Sequence, residues 1–244
     1  AALIIAFSSA GNSIYAGPKQ KKERNCSRRV EKALERYRAD RYAGAEEILS
    51  DVKLTCTGHS SIDTTLFYLG KSLLLLRRHE EAKAELRSLI TNFPNSPFAA
   101  EATFLIGYAS LKASSPPDRD QTLTREAIRQ LNDFLDRYPQ SIFADSARGA
   151  LQTAHEKLAT KTFNTARFYE KLGKYESAII YYRLFLNDHP ASRRVPQALV
   201  HLAQSLIAAN QPDDAREVLT GPLSDIDSTA IREKVRRLLE SLDE

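Results

Sequence analysis

Two cysteines, Cys26 and Cys56, and five histidines, His59, His79, His155, His189 and His201, are the residues of this chain best suited to covalent or metal chemistry. None of them falls at metal-ligand spacing, so neither a metal nor a cofactor is expected. The sequence has no Gly-rich phosphate loop, no GxSxG elbow and no HExxH helix. Its carboxylates mostly sit a turn away from Lys or Arg, as surface pairs on helices do. The chemistry that remains is recognition. Aromatic residues interleave with single cations in three places: Phe67, Lys71 and Leu74; Phe104, Tyr108, Leu111 and Lys112; Phe163 and Arg167. Rings that take apolar side chains and cations that take a carboxylate suit an extended peptide with a free C-terminus. Packing between helices is the alternative for each ring, because periodicity alone does not separate groove from core.

Those residues need elements to position them, and the composition favours helices. Gly numbers only 9 in 244 residues, while Ala, Leu, Arg and Glu abound, and these lose little freedom in a helix. With 42% hydrophobic and 27% charged residues the chain can bury a core. The net charge of +4 is spread in both signs, which argues against nucleic acid as a partner. One exception is residues 19–29, "KQKKERNCSRR", with six cations against one glutamate. This run reads as a solvated linker, with an anionic membrane surface as the alternative neighbour. The residues before it, "AALIIAFSSAGNSIYAG", are too short and too interrupted to span a bilayer. They are similar to the rear half of a secretory signal, with Ser8, Ala10 and Ala16 as small residues for cleavage. No apolar-small-small run precedes a cysteine, since Cys26 follows "KERN". The expected organisation is a signal-like segment and basic linker over 1–25 and a single domain over 26–244.

The domain repeats. Ala82 is followed at offsets of 4, 7, 11 and 12 by Leu86, Leu89, Phe93 and Pro94. Ala127 leads in the same way to Leu131, Phe134, Tyr138 and Pro139, and Ala178 to Tyr182, Phe185, His189 and Pro190. Ala45 and Ala215 begin shorter versions. Twelve residues before four of these alanines lie Ala33, Gly70, Ala166 and Ala203, and the small-on-small spacing predicts antiparallel helix pairs in close contact. The pattern resembles the tetratricopeptide repeat, which implies an all-α superhelix of five helix pairs with the first helix of each pair on the concave side. Residues 228–242 carry Ile231, Val235, Leu238, Leu239 and Leu242 on one helical face and fit a C-terminal capping helix.

Two places break the period. Gly107 precedes Ala127 by 20 residues rather than 12, and the surplus is "SSPPDRDQTLT", residues 114–124. Its prolines end one helix, and Asp120, Thr122 and Thr124 offer oxygens to start the next. It is expected to form a contact surface. The second break adds "IFADSARGALQTAHEKL", residues 142–158, which predicts one long helix over about 142–172.

With these breaks, "FPNSPFAAEATFLIGYASLK", "DRDQTLTREAIRQLNDFLDRYPQSIFADSA" and "LATKTFNTARFYEKLGKYESAIIYYRLFLNDHP" resemble the BamD-like outer membrane protein assembly factors. The resemblance implies a non-enzymatic periplasmic scaffold, peripheral to the outer membrane. Its implied partners are a BamA-like barrel protein with POTRA domains, unfolded outer membrane proteins and other assembly lipoproteins. It also points to Arg183, Arg193 and Arg194 as exposed groups for an acidic POTRA surface. A periplasmic repeat adaptor of the Tol–Pal or cell-division system is the alternative, and such adaptors resemble uninterrupted arrays. Finally, the repeat register places Cys26 at the start of the first helix pair and Cys56 at its end. In an exported chain that favours a disulfide, with two buried free thiols as the alternative.

Overall fold

The computed structural model describes residues 18–221 and 229–243, so the signal-like segment lies outside the described residues. Five helix pairs follow one another: α1 (Pro18–Arg38) with α2 (Tyr42–Thr55), α3 (Ile62–Leu75) with α4 (His79–Asn92), α5 (Ala99–Ala113) with α6 (Thr122–Arg137), α7 (Ala144–Lys171) with α8 (Tyr175–Asp188), and α9 (Val195–Ala208) with α10 (Pro212–Thr220). A final helix, α11 (Thr229–Asp243), lays Ile231, Val235, Leu238, Leu239 and Leu242 against Leu199, Val200, Ala203 and Leu219, as a cap does. The described residues include no strand. The chain divides into two compact units, residues 1–98 and 99–244. The basic run read as a linker is helical from residue 18 and belongs to α1. The long helix expected at 142–172 is α7, 28 residues from Ala144 to Lys171.

The repeated alanines are the pivots of the pairs: Ala45, Ala82, Ala127, Ala178 and Ala215 are all fully buried. The small residues on the first helices let the paired helices approach closely, as their spacing predicts, and the two glycines also make room for a leucine. A Cβ added to Gly70 would lie 2.7 Å from Leu86 Cγ and 3.5 Å from the Ala82 carbonyl oxygen. One added to Gly107 would lie 2.8 Å from Leu131 Cγ. The glycine is therefore a hole for the leucine four residues beyond the alanine. That leucine fills the gap within its own pair, and Leu131 also clusters with Ala147 and Ala150 of α7. Ridge-into-groove packing explains this, since a branched knob fills space that alanine would leave empty.

Two turn devices recur. In four of the pairs the first helix ends in a left-handed residue: Asp40, Arg77, Gly173 and Asn210, with φ between 56° and 68°. The following N–H then reaches back to the carbonyl five residues earlier, as in Arg78 to Leu73 and Lys174 to Tyr169, both within 3.0 Å. The third pair has the insertion in this place. Between pairs, a serine two residues past a proline turns the chain into the next helix. Ser96, Ser141 and Ser192 Oγ accept the N–H of Phe98, Phe143 and Arg194 at 3.2–3.3 Å.

Candidate functional site

Within the second unit, α5 and α7 flank a cleft of about 570 Å³. Four of the predicted recognition residues, Phe104, Tyr108, Leu111 and Lys112, line its α5 side. Phe104 is 8% exposed and belongs to the core beneath the cleft, stacked on Phe143 with ring centroids 5.7 Å apart and tilted against Phe134 at 5.8 Å. Tyr108 is half-buried and carries the Lys112 ammonium 5.2 Å from its ring centroid. The α7 side presents Ser146, Gly149, Ala150 and Thr153. These follow the helical spacing of one face, and their small side chains leave the trough open. Nothing lies within 4 Å of the position a Gly149 Cβ would take.

The insertion closes one end of this cleft. Lys157 on α7 donates to the Ser114 carbonyl at 2.9 Å and also contacts Ser114 Oγ. Burial pushes the Lys157 ammonium below the usual lysine range. One and two turns further along α7, Lys161 Nζ donates to the Arg119 carbonyl and Asn164 Nδ2 to Asp118 Oδ1, both at 2.7 Å. The loop is built around Gln121, which is only 1% exposed. Its Nε2 points at the carbonyls of Ser115, Pro116, Pro117 and Arg119, closest to Pro116 at 2.7 Å. Its Oε1 accepts from Thr124 Oγ1 at 2.7 Å. Asp120 starts α6 by accepting the Thr122 N–H at 3.0 Å, which with the Thr122 hydroxyl holds its carboxyl below the usual range. The expected contact surface therefore turns inward onto α7. Its sequence signal is Gln121, an amide set among prolines and charges.

The other predicted residues are arranged differently. In the first unit Phe67 is 2% exposed and stacks on Phe98 at 4.4 Å, so it is core. Lys71 lies 5.0 Å over its ring, and Leu74 packs at the edge of the Leu69–Leu73 cluster. In the second unit Phe163 is 6% exposed, enclosed by Tyr182, Phe185 and His201. Arg167 is already engaged: its Nη1 lies 2.9 Å from Glu170 Oε1 and 2.8 Å from His201 Nδ1. Burial alone would raise the Glu170 pKa. His201, the Tyr182 hydroxyl and Arg167 outweigh it and hold the carboxyl below the usual range. Burial and the same carboxylate push Tyr182 well above the phenol range.

Of the three arginines expected to be exposed, Arg183 is exposed but paired with Asp214 at 2.8 Å. Arg193 is exposed, its backbone N–H bound by Glu156 at 2.6 Å. Arg194 is half-buried, with its guanidinium 5.2 Å over the Phe163 ring, because the serine turn directs it inward.

Cys26 and Cys56 form a disulfide with Cα atoms 5.9 Å apart, pinning the start of α1 to the end of α2. Beside it Ser27 Oγ lies 3.2 Å from His59 Nε2, which superficially resembles a nucleophile and its base. His59 Nδ1, however, accepts the Ser61 N–H at 3.1 Å. The neutral ring must then carry its proton on Nε2 and donate to the serine, the wrong direction for activating it. Among the described residues no group of three or more His, Cys, Asp or Glu is placed to hold a metal, and no helix is long and apolar enough to cross a membrane.

A family profile described as "YfiO: Outer membrane lipoprotein" matches residues 22–218. A Caulobacter vibrioides protein named "Outer membrane protein assembly factor BamD" is 24% identical over 152 residues, 62% of this chain and 50% of that protein. An Aquifex aeolicus protein named "Putative outer membrane protein assembly factor BamD" is 31% identical over 163 residues, 66% of this chain and 53% of that one. The chain thus spans about half the length of the curated relatives it matches. Among solved structures, a thermophilic TPR protein of Thermus thermophilus is 14% identical with a TM-score of 0.39, covering 88% of this chain and 99% of its own. The MamA protein is 16% identical with a TM-score of 0.36, covering 88% and 92%.

Proposed function

The chain belongs to the YfiO family of outer membrane lipoproteins, and from that premise we propose that it is a non-enzymatic scaffold of outer membrane protein assembly. In this reading it works at the periplasmic side of the outer membrane and binds unfolded barrel proteins as extended chains. The observation that carries the reading is the cleft between α5 and α7. Its floor is the buried Phe104, its accessible ring is Tyr108, and two ammonium groups, Lys112 and Lys157, stand on its rim and at its closed end. An apolar or aromatic residue near a chain end would pack on the rings, and the terminal carboxylate would meet the cations. Within the second unit Arg167 is a secondary contact, since Phe163 is committed to the core; in the first unit Lys71 and Leu74 are candidate contacts of their own, since Phe67 is core there. Arg183 and Arg193 are the proposed contacts for an acidic POTRA surface of the barrel protein. Arg183 would exchange Asp214 for a partner carboxylate.

Fluorescence anisotropy tests the cleft with a labelled peptide ending in an aromatic residue and a free carboxylate. Gly149→Trp places an indole in the trough from a position where the Cβ itself has nothing within 4 Å. It should weaken binding at least tenfold while thermal unfolding is unchanged or raised, since a helical glycine costs about 1 kcal/mol. Amidating the peptide terminus should weaken binding by a similar factor. Unchanged affinity in both experiments would remove the cleft from the function.

A further inference from the structure

The cleft between α5 and α7 has two unlike ends. Ser146, Ala150, Thr153, Lys157, Lys161 and Asn164 follow one another along α7 at spacings of three and four, a single stripe on the helix. The first four line the trough. The last two are covered, because Lys161 holds the Arg119 carbonyl and Asn164 holds Asp118. The insertion therefore lies along the path the trough would otherwise follow. Its near edge is the bridge from Lys157 to the carbonyl and hydroxyl of Ser114.

Charge distinguishes the ends as well. Lys112 and Lys157 both stand towards the insertion, and among the described residues neither has a carboxylate partner. Burial holds the Lys157 ammonium below the usual lysine range, so an arriving carboxylate would meet a cation that no anion yet offsets. The carbonyls at the end of α5 would repel a carboxylate, but they are occupied. The Leu111 carbonyl accepts from the Ser114 N–H and hydroxyl, and the Ser114 carbonyl accepts from Lys157. An ammonium has three donors, so Lys157 keeps one beyond these contacts. At the opposite end the first turn of α7 presents the exposed Asp145, whose nearby cation, Arg148, is already paired with it at 2.7 Å.

We propose that the insertion is a stop that sets the direction and register of a bound peptide: a free C-terminus halts against the Ser114–Lys157 bridge, and the chain runs back along α7 past Ser146. This rests on the peptide-binding reading of the cleft and adds to it a specificity determinant, the loop. From Ser146 to Lys157 the helix rises about 16 Å, room for about five extended residues. A chain that continues past the bridge must climb over the loop, so internal segments are refused.

Two measurements on the full chain test this. A peptide with a free C-terminus carries a benzophenone at its last residue or at its sixth from last. The last position should crosslink to residues 114–119 and the sixth to residues 144–149, as mapped by mass spectrometry. The same peptide prolonged by six Gly and Ser residues should bind the parent about tenfold more weakly or worse. Lys161→Ala with Asn164→Ala releases the loop and leaves the trough lining intact, and Gln121→Leu opens the loop from within. Tryptic cleavage after Arg119 reports the opening, and an unchanged helical circular dichroism spectrum reports that the array is folded. Once open, each variant should bind the prolonged peptide within about threefold of the free-ended one. Crosslinks in the reverse order would overturn the stop. So would a parent that binds both peptides equally, or an opened loop that still refuses the prolonged peptide. The peptide-binding reading fails differently: the parent then binds neither peptide, or Gly149→Trp binds both normally, and the stop falls with it.

Discussion

Two polar side chains, one buried and one half-buried, carry more of this structure than their number suggests. Gln121 organises four carbonyls and a threonine in the insertion, and an apolar residue of similar size would leave those groups without their donor. Gln121→Leu should cost about 2 kcal/mol in urea unfolding and open residues 114–120 to proteolysis, because unpaired buried polar groups are expensive. Glu170 is the second. Its folded pKa lies below its unfolded value, so its stabilising contribution is complete above the ordinary glutamate range and is lost as pH falls through the depressed value. The melting temperature should therefore fall below about pH 4, and Glu170→Gln should flatten part of that acid limb. Equal acid limbs in the two proteins would argue against the Arg167–Glu170–His201–Tyr182 cluster as a source of stability. At this scale the sequence is unevenly legible. Tyr108 and Lys112 are legible as a ring and a cation one turn apart on a helix. Phe67 and Phe163 follow the same spacing yet are core, because a neighbouring turn supplies Phe98 to one and Arg194 to the other. Neither contact is written in the helical period.

Helices and turns were more legible, since each is fixed by a few residues at constant offsets. The five pairs, the long α7 and the cap all follow from the alanine pivots, the prolines and the interrupted period. The left-handed turns were hidden because only one of the four uses glycine; the others place Asp40, Arg77 and Asn210 there. Arginine gains nothing from that conformation, so Arg77→Gly should stabilise the protein by about 0.5–1 kcal/mol, read as a shift of the urea midpoint. Gly70→Ala tests the opposite case. Its helix propensity should improve by about 1 kcal/mol, yet the new methyl meets Leu86, which is fully buried and cannot move aside. Overpacking should prevail, leaving the variant about 1–2 kcal/mol less stable. A more stable Gly70→Ala protein would show that the leucine has another place to go.

For the whole molecule, stability in a repeat array is roughly a sum of local terms, so a terminal pair is the easiest to lose. The disulfide sits in that pair and closes a loop of about 30 residues, a constraint of roughly 3.5 kcal/mol on the unfolded chain. Reduction should lower amide protection of α1 and α2 first, and leave α7 to α9 protected in hydrogen-exchange mass spectrometry. Uniform loss over all helices would mean that the array unfolds as one unit. The bridge was legible in outline, since the repeat register placed the two cysteines together.

The insertion and the lengthened α7 are tied by three bonds at successive turns, from Lys157, Lys161 and Asn164 to Ser114, Arg119 and Asp118. Neither length can then drift by itself. Deleting one loop residue shifts every acceptor out of step with its donor, while adding one to the helix rotates the donors by about 100°. Relatives that lack the insertion should therefore also lack the matching basic and amide residues on the helix, and an alignment of the family in which the two vary independently would sever the link.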